Sequence, residues 1–144
     1  LHHAAGPNVD LAIECQPGLR RVFADRSQIE RVVLNLTLNA RDAMSKEGRA
    51  TVRVDEQRIL SPWHREDAYV VLSVTDTGVG MDEATKRRMC DPFFTTKGHA
   101  GTGLGMAIVN QVMNRSGGFL DVESAPGRGT TIRCCFPPIA LARP

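Results

Sequence analysis

One stretch, residues 28–44 (QIERVVLNLTLNARDAM), constrains the fold more than any other part of the chain. Its apolar residues recur every three or four positions, which predicts an amphipathic helix with one buried face; they are Ile29, Val32, Val33, Leu36, Ala40 and Ala43. The other face carries Asn35, Asn39 and Asp42, so three oxygen-bearing side chains project from one side of the helix.

The two asparagines on that face need an explanation, because asparagine is a poor helix former whose side chain competes for the backbone. An amide oxygen is a ligand that Mg²⁺ accepts beside waters and substrate phosphates. The alternative is that Asn35 and Asn39 only hydrogen bond to their neighbours. At the start of the helix, Asp25 and Ser27 offer capping oxygens, and Ser27 with Glu30 has the spacing of a capping box.

Length and composition exclude several classes of protein. The chain has 144 residues, 42% hydrophobic and 24% charged, which suits one soluble domain. A net charge of +2 gives no reason to expect nucleic acid or a membrane surface as a partner, and no apolar run approaches the roughly 20 residues of a membrane span. The four cysteines form no C-x-x-C pair, which disfavours a zinc site or a disulfide framework and predicts a cytoplasmic location.

Alternating and apolar runs predict the strands: Val9–Cys15, 20–24, 50–57, 68–75, Phe119–Ser124 and Thr130–Phe136. Further helices are predicted at 82–90 and 104–115. Hairpin-linked strands with helices between them predict a two-layer α/β sandwich. Its sheet would be mixed but mostly antiparallel, with about three helices on one face. Residues 1–8 are interpreted as a truncated lead-in, 9–137 as the domain and the proline-flanked 138–144 as an exit linker.

Three glycines, Gly101, Gly103 and Gly105, precede the last predicted helix. Their G-x-G-x-G spacing is not that of a Rossmann site, and no P-loop motif occurs. Glycines allow close backbone approach, and the N–H groups at a helix start attract anions, so the segment predicts a phosphate site. The alternative is a mobile glycine-rich turn.

Asp76 ends the most apolar strand and precedes Gly78 and Gly80. A carboxylate in such a place is costly unless a polar group satisfies it, and the N–H of an adenine amino group would do so. A turn in which Asp76 hydrogen bonds to its own backbone is the alternative.

Four motifs stand in one order along the chain: NLTLNARDAM (35–44), DTGVGM (76–81), DPFFTTK (91–97) and GTGLGMAIV (101–109). Together they resemble the asparagine, first glycine, phenylalanine and second glycine boxes of the ATP-binding catalytic domain of sensor histidine kinases. That domain belongs to the gyrase, heat-shock chaperone, histidine kinase and mismatch-repair superfamily. The last two motifs are most similar to nitrogen- and oxygen-sensing kinases and hybrid kinases. The resemblance implies a Bergerat-type sandwich, protein-histidine kinase activity, and ATP and Mg²⁺ as cofactors.

The same resemblance implies roles for single residues. Asn39 would hold Mg²⁺ against the ATP phosphates, with Asn35 supporting it. Asp76 would accept from the adenine amino group, and Thr130 would reach adenine through water. The other nucleotide-binding residues implied are Arg41, Asp42, Gly78, Gly80, Met81, Phe93, Phe94, Thr96, Lys97, Gly101, Thr102, Gly103, Leu104 and Gly105.

Two of these roles concern a lid over the phosphates. Phe93 and Phe94 would anchor it, and Lys97 would act with Asn35 and Asn39 as a catalytic residue facing the γ-phosphate. We expect residues 95–101 to be ordered by nucleotide and to make few contacts without it. Many relatives carry a lysine where this chain has Asp42, so the cation that contacts the phosphates from this helix stays open.

One position separates a kinase from an ATP hydrolase in this superfamily. Hydrolases place a glutamate four residues before the magnesium asparagine, whereas this chain has Asn35, which cannot take a proton at neutral pH. The resemblance therefore implies transfer to a histidine on an upstream dimerisation and phosphoacceptor domain, with a response-regulator receiver domain as the next partner. The alternatives are an anti-sigma-type serine kinase and a nucleotide-sensing module without phosphotransfer.

Overall fold

The computed structural model describes residues 1–45, 47–96 and 103–139. Helices and strands follow one another in the order α1 (His2–Ala5), β1 (Val9–Cys15), α2 (Arg26–Ala43), β2 (Gly48–Leu60), β3 (Glu66–Asp76), α3 (Glu83–Arg88), α4 (Gly105–Arg115), β4 (Phe119–Ser124) and β5 (Thr130–Phe136).

Within the described residues, five strands form one sheet in the order β1-β2-β3-β5-β4. Only β1 and β2 pair in parallel, while the other three pairings are antiparallel. The β2–β3 hairpin is the longest element of the sheet and turns at residues 61–65. The predicted mixed, mostly antiparallel sheet is therefore confirmed.

Helices cover one face of this sheet. The stripe of α2 predicted from spacing is buried, with Val32 0% and Leu36 1% exposed. It packs with α1, α4 and the inward residues of the strands in one apolar core. Thr37 also lies in this stripe, and its hydroxyl donates to the Val33 carbonyl oxygen at 2.8 Å, so its burial leaves no unpaired donor. The two-layer sandwich is confirmed.

The opposite face of the sheet is partly apolar and partly charged. Tyr69, Val71, Phe119 and Cys135 form a small cluster there, and Trp63 meets the Phe119 ring edge-on at 5.9 Å between centroids. This second cluster sits beyond the core layer and takes no part in the site described below.

Two local predictions were wrong. Residues 20–24 do not form a strand, and among the described residues their only β-pairing is an isolated bridge between Val22 and Pro138. The Arg20 backbone N–H instead donates to a Glu56 side-chain oxygen, which takes the place of a strand partner.

The capping box was also wrong. The N-cap of α2 is Asp25, whose side chain accepts from the Ser27 N–H at 2.9 Å. Glu30 pairs instead with Arg26 one turn earlier. The helix accordingly begins at Arg26, two residues before the predicted start.

Both ends of the described chain pack against the domain. The expected lead-in contains α1, whose Ala5 is 1% exposed and joins the core. At the other end, the Ile139 N–H donates to the Arg21 carbonyl oxygen. No helix in the described part of the chain is long and apolar enough to cross a membrane.

Leu36 and Leu34 test the assignment of the α2 faces. Leu36→Ala should lower the free energy of unfolding by about 2–5 kcal/mol, because it leaves a cavity in the core. Leu34 lies on the same helix but is 44% exposed, so Leu34→Ala should change stability by only about 0.5 kcal/mol. Urea unfolding of both variants measures this difference, and similar losses would contradict the assigned faces.

Candidate functional site

A cavity of about 400 Å³ opens between α2, the end of β3 and the start of α4. Its size suits a small-molecule ligand. It brings together residues from all four sequence motifs and from β5. Of the predicted residues, it is lined by Asn35, Asn39, Arg41, Asp42, Asp76, Gly80, Met81, Phe94, Thr96, Gly103, Gly105 and Thr130.

Asp76 lines this cavity and is 8% exposed. Burial raises the pKa of its carboxyl group, and hydrogen bonds from the backbone N–H groups of Gly78 and Thr130 partly oppose that rise. The Gly78 N–H lies 2.8 Å from Oδ1. The turn with its own backbone therefore exists, and it does not prevent Asp76 from lining the cavity.

The loop after Asp76 is held against two other segments. Gly78 packs on the Ala43 carbonyl at the end of α2, where any Cβ would overlap the backbone. Gly80, at φ 70°, lies against the Ala125 carbonyl oxygen of the β4–β5 turn. The Val79 N–H donates to the Ala43 carbonyl oxygen at 3.0 Å. The glycines of this motif thus allow a close approach that a larger residue would block.

The polar face of α2 also lines the cavity. Asn35, Asn39 and Asp42 all contribute, as the helical spacing predicts. A Cβ placed on Gly105 would lie 3.8 Å from the Asn35 amide oxygen, so the first turn of α4 approaches this asparagine closely. The N-cap of α4 is Leu104, whose side chain has no oxygen with which to cap the helix.

Arg41 is turned towards α1. Its Nη2 lies 3.1 Å from Asp42 Oδ1, and its Nη1 lies 3.5 Å from the Ala4 carbonyl oxygen. The guanidinium therefore has anionic and carbonyl partners within its own domain, although the residue reaches the cavity wall.

The two adjacent phenylalanines, Phe93 and Phe94, have different surroundings. Phe94 lines the cavity, with the Arg88 guanidinium 4.5 Å above its ring. Phe93 has φ 67°, is 75% exposed and does not line the cavity. Its backbone N–H donates to the Gly103 carbonyl oxygen at 2.8 Å, and Gly103 at φ 72° packs on the Phe93 backbone. Phe93 therefore holds Gly103 through its backbone and points its ring outwards.

Three predicted site residues, Lys97, Gly101 and Thr102, lie outside the described part of the chain, as does most of the expected lid. Gly78 and Leu104 adjoin the cavity without lining it. Sequence analysis missed other lining residues, among them Leu38, Val74, Val79, Thr85, Met89, Met106 and Ile132. Val74 and Ile132 face inward on their strands beside Asp76 and Thr130, so strand alternation could have indicated them.

The fold and the cavity define an α/β nucleotide-binding domain with its site between one long helix and the sheet. A family model described as "Histidine kinase-, DNA gyrase B-, and HSP90-like ATPase" matches residues 24–140. The chain belongs to this family, and the resemblance drawn from the four motifs is confirmed.

Similar proteins are sensor kinases. The chain is 39% identical to sensor histidine kinase ZraS of Klebsiella oxytoca, covering 93% of this chain and 27% of that protein. It is 37% identical to sensor kinase CckA of Brucella abortus, covering 95% of this chain and 15% of that protein. The chain thus spans between a seventh and about a quarter of these two curated relatives.

Two solved structures share the fold of this chain. The catalytic domain of histidine kinase ThkA in a nucleotide-free form superposes with a TM-score of 0.71 at 30% identity, covering 91% of this chain and 81% of that chain. Full-length ShkA in complex with AMPPNP superposes with a TM-score of 0.72 at 25% identity, covering 96% of this chain and 27% of that chain.

Two glycines of the β4–β5 turn test the close packing at Asp76. Both have positive φ, but a Cβ on Gly129 would overlap the Asp76 carbonyl oxygen, whereas a Cβ on Gly127 meets nothing within 4 Å. Gly127→Ala should cost about 1–2 kcal/mol of stability from backbone strain alone. Gly129→Ala should cost more and perturb the amide NMR signals of 76–78. Equal costs and unchanged signals would contradict the packing.

The ionised carboxylates of Asp76 and Asp82 should affect folding stability in opposite directions, and both effects should depend on pH. The raised pKa of Asp76 means that its ionised form costs stability, so Asp76→Asn should be at least as stable as wild type at pH 7. That difference should shrink as pH falls through the raised pKa. Asp82 caps α3, and hydrogen bonds from Thr85 lower its pKa, so its ionised form contributes stability that Asp82→Asn lacks at pH 7.

Urea unfolding at several pH values between 3.5 and 7, chosen as about the range in which carboxyl groups titrate, measures both differences. A loss of stability in Asp76→Asn at pH 7 that persists on acidification would contradict the cost assigned to the buried carboxylate.

Proposed function

We propose that this chain is the ATP-binding catalytic domain of a sensor histidine kinase, transferring the γ-phosphoryl group of ATP to a histidine on a separate dimerisation and phosphoacceptor domain. One observation carries the proposal: the same cavity is lined by a buried carboxylate and by an asparagine face beside a helix start. These are the groups that an adenine ring and a Mg²⁺-bound triphosphate require.

Adenine would lie at the Asp76 end. The carboxylate can accept from the exocyclic amino group, which would supply the polar partner that its burial demands. Thr130, 8% exposed, stands beside it on β5 and would reach adenine through water. Met81 and the apolar residues Val74 and Ile132 would face the ring.

The triphosphate would lie between α2 and α4. Asn39 would supply an amide oxygen to Mg²⁺, and the other metal ligands would be phosphate oxygens and water. Gly103 and Gly105 would let the phosphates approach the start of α4, where backbone N–H groups and the helix dipole favour anions. Mg²⁺ would neutralise charge on the transferring phosphoryl group.

The carboxylates of the described cavity wall favour phosphoryl transfer to a partner rather than hydrolysis of ATP. They are Asp42, which is paired with Arg41, and Asp76, which accepts from the Gly78 N–H. Asn35 occupies the helical position from which a base would face the magnesium site, and an amide cannot take a proton from water. A histidine imidazole is nucleophilic without a strong base, so a partner can supply the acceptor.

The acceptor would come from another domain. The described histidines are His2 and His3 on α1 and His64 in the β2–β3 turn, and none of these three lines the cavity. We propose an upstream dimerisation domain as the phosphoryl acceptor, a receiver domain as the next partner, and a cytoplasmic location for this domain.

Asn39→Ala tests the site. It should abolish Mg²⁺-dependent binding of a non-hydrolysable ATP analogue by calorimetry, because it removes the proposed metal ligand. Asn114→Ala is the matched control, since Asn114 is an exposed amide on α4 away from the cavity. Equal binding by both variants and wild type would contradict the magnesium role.

Phosphotransfer is tested by mixing the chain and labelled ATP with a separately made histidine phosphoacceptor domain of the family. Acid-labile phosphate on that domain, absent with Asn39→Ala, is the expected result. Acid-stable phosphate would indicate a serine kinase instead. Tight ATP binding without transfer to a panel of such domains would favour a nucleotide sensor.

A further inference from the structure

Asp42 lies in the last turn of α2 and lines the large cavity, three residues after Asn39. Residues three apart on a helix are neighbours on its surface, so the Asp42 carboxylate and the Asn39 amide lie on the same side of α2. The Asp42 side chain is 29% exposed. The wall that would present an amide oxygen to Mg²⁺ therefore also carries a carboxylate, close to one helical turn further along.

The helix itself gains nothing from a carboxylate at this position. The carbonyl groups at the end of a helix carry partial negative charge, so a carboxylate in the last turn is unfavourable and a cation there is favourable. Arg41 is the basic residue of that turn. Helix stability thus explains Arg41 and leaves Asp42 without an explanation.

Arg41 compensates the charge of Asp42 only in part. Its Nε and Nη2 lie 3.2 and 3.1 Å from the same oxygen, Asp42 Oδ1, and its Nη1 lies 3.5 Å from the Ala4 carbonyl oxygen. The guanidinium is therefore held between the carboxylate and α1, a helix that contributes no residue to the described cavity wall. The two side chains are 45% and 29% exposed, so water screens their attraction. The pair presents its anionic member on the Asn39 side.

A carboxylate in the cavity wall distinguishes between two forms of a nucleotide. Metal-free triphosphate would bring its full negative charge towards Asp42, and like charges at short range repel. A divalent cation bound to the phosphates lowers their net charge, so the repulsion is smaller. A lysine at the same position would attract both forms.

We propose that Asp42 selects the Mg²⁺-bound form of ATP by repelling the metal-free form. This inference rests on the proposed nucleotide function and gives a role to the residue that stands beside the proposed metal ligand. Asn39 would hold the metal, and Asp42 would make binding depend on it. The site would then fill with the form of ATP whose transferring phosphoryl group has its charge neutralised by Mg²⁺.

Removal of the Asp42 charge should relax this selection. Asp42→Asn keeps the shape of the side chain, and metal-free ATP should bind to it about tenfold more tightly, the scale of one like-charge contact near a protein surface. Binding of Mg²⁺-ATP should change by less than about threefold, because less repulsion is relieved. Binding of adenosine should not change, because adenosine has no phosphate.

Glu30→Gln is the matched control. It removes the same charge from the same helix, but Glu30 is exposed, pairs with Arg26 and does not line the cavity. Its dissociation constants for all three ligands should equal those of the wild type.

The experiment measures dissociation constants by calorimetry for ATP with a chelator, for ATP with Mg²⁺, and for adenosine by competition against Mg²⁺-ATP. Wild type, Asp42→Asn and Glu30→Gln are compared, and thermal unfolding verifies that each is folded. The tighter binding of metal-free ATP to Asp42→Asn should diminish as salt is added, since mobile ions screen the repulsion that it removes.

Other roles of Asp42 give different patterns, and each would overturn the inference. A direct metal ligand would show as weaker binding of Mg²⁺-ATP to Asp42→Asn with no change for metal-free ATP. A hydrogen bond to the ribose would show as an equal loss for all three ligands. Unchanged constants would mean that the carboxylate does not act on the nucleotide. Wild type that binds no ATP even with Mg²⁺ would overturn the proposed function itself, which separates the two failures.

Discussion

The pairing of β3 with β5 is the constraint on which the site depends. In this register Asp76 lies opposite Thr130, with Ala50 of β2 on its other side. A slip of one residue would turn Asp76 to the opposite face of the sheet, away from the helices and from the cavity. The register is held because the same alternation buries Leu72, Val74 and Ile132 in the core. Core packing and ligand-facing chemistry are thus fixed by one set of backbone hydrogen bonds.

Close backbone contacts connect the β3–β5 pair to the other segments of the site. Gly129 packs on the Asp76 backbone, Gly80 packs on Ala125, and Gly78 packs on the end of α2. Each approach is too tight for a side chain, so three segments distant in sequence are held together by main-chain contacts. The Ser124 hydroxyl at the end of β4 joins two of these segments, because it accepts from the Met81 N–H and lies 2.8 Å from the Thr130 hydroxyl.

Sequence patterns failed where a partner distant in sequence decided the outcome. Residues 20–24 alternate like a strand, yet the Arg20 backbone bonds to Glu56 and only Val22 pairs with another segment. Of the two residues expected to offer a capping oxygen, Asp25 caps the helix and Ser27 does not, because only the path of the entering chain selects one of them. The same limit applies to Phe93, whose positive φ turns its ring outwards, and to Arg41, which has partners in Asp42 and α1.

The sequence by itself determined the sandwich, the buried stripe of α2, the ends of β1, β4 and β5, and about half of the described residues of the cavity wall. It could do so because helical and strand periodicities are local, and because four motifs occur together in a fixed order. Only the tertiary structure decided which of two adjacent phenylalanines faces the cavity, that Arg41 turns towards α1, and that Ser124 contacts Thr130. These depend on side-chain directions and on contacts between segments far apart in the chain. No periodicity or residue spacing in a single sequence indicates either of them.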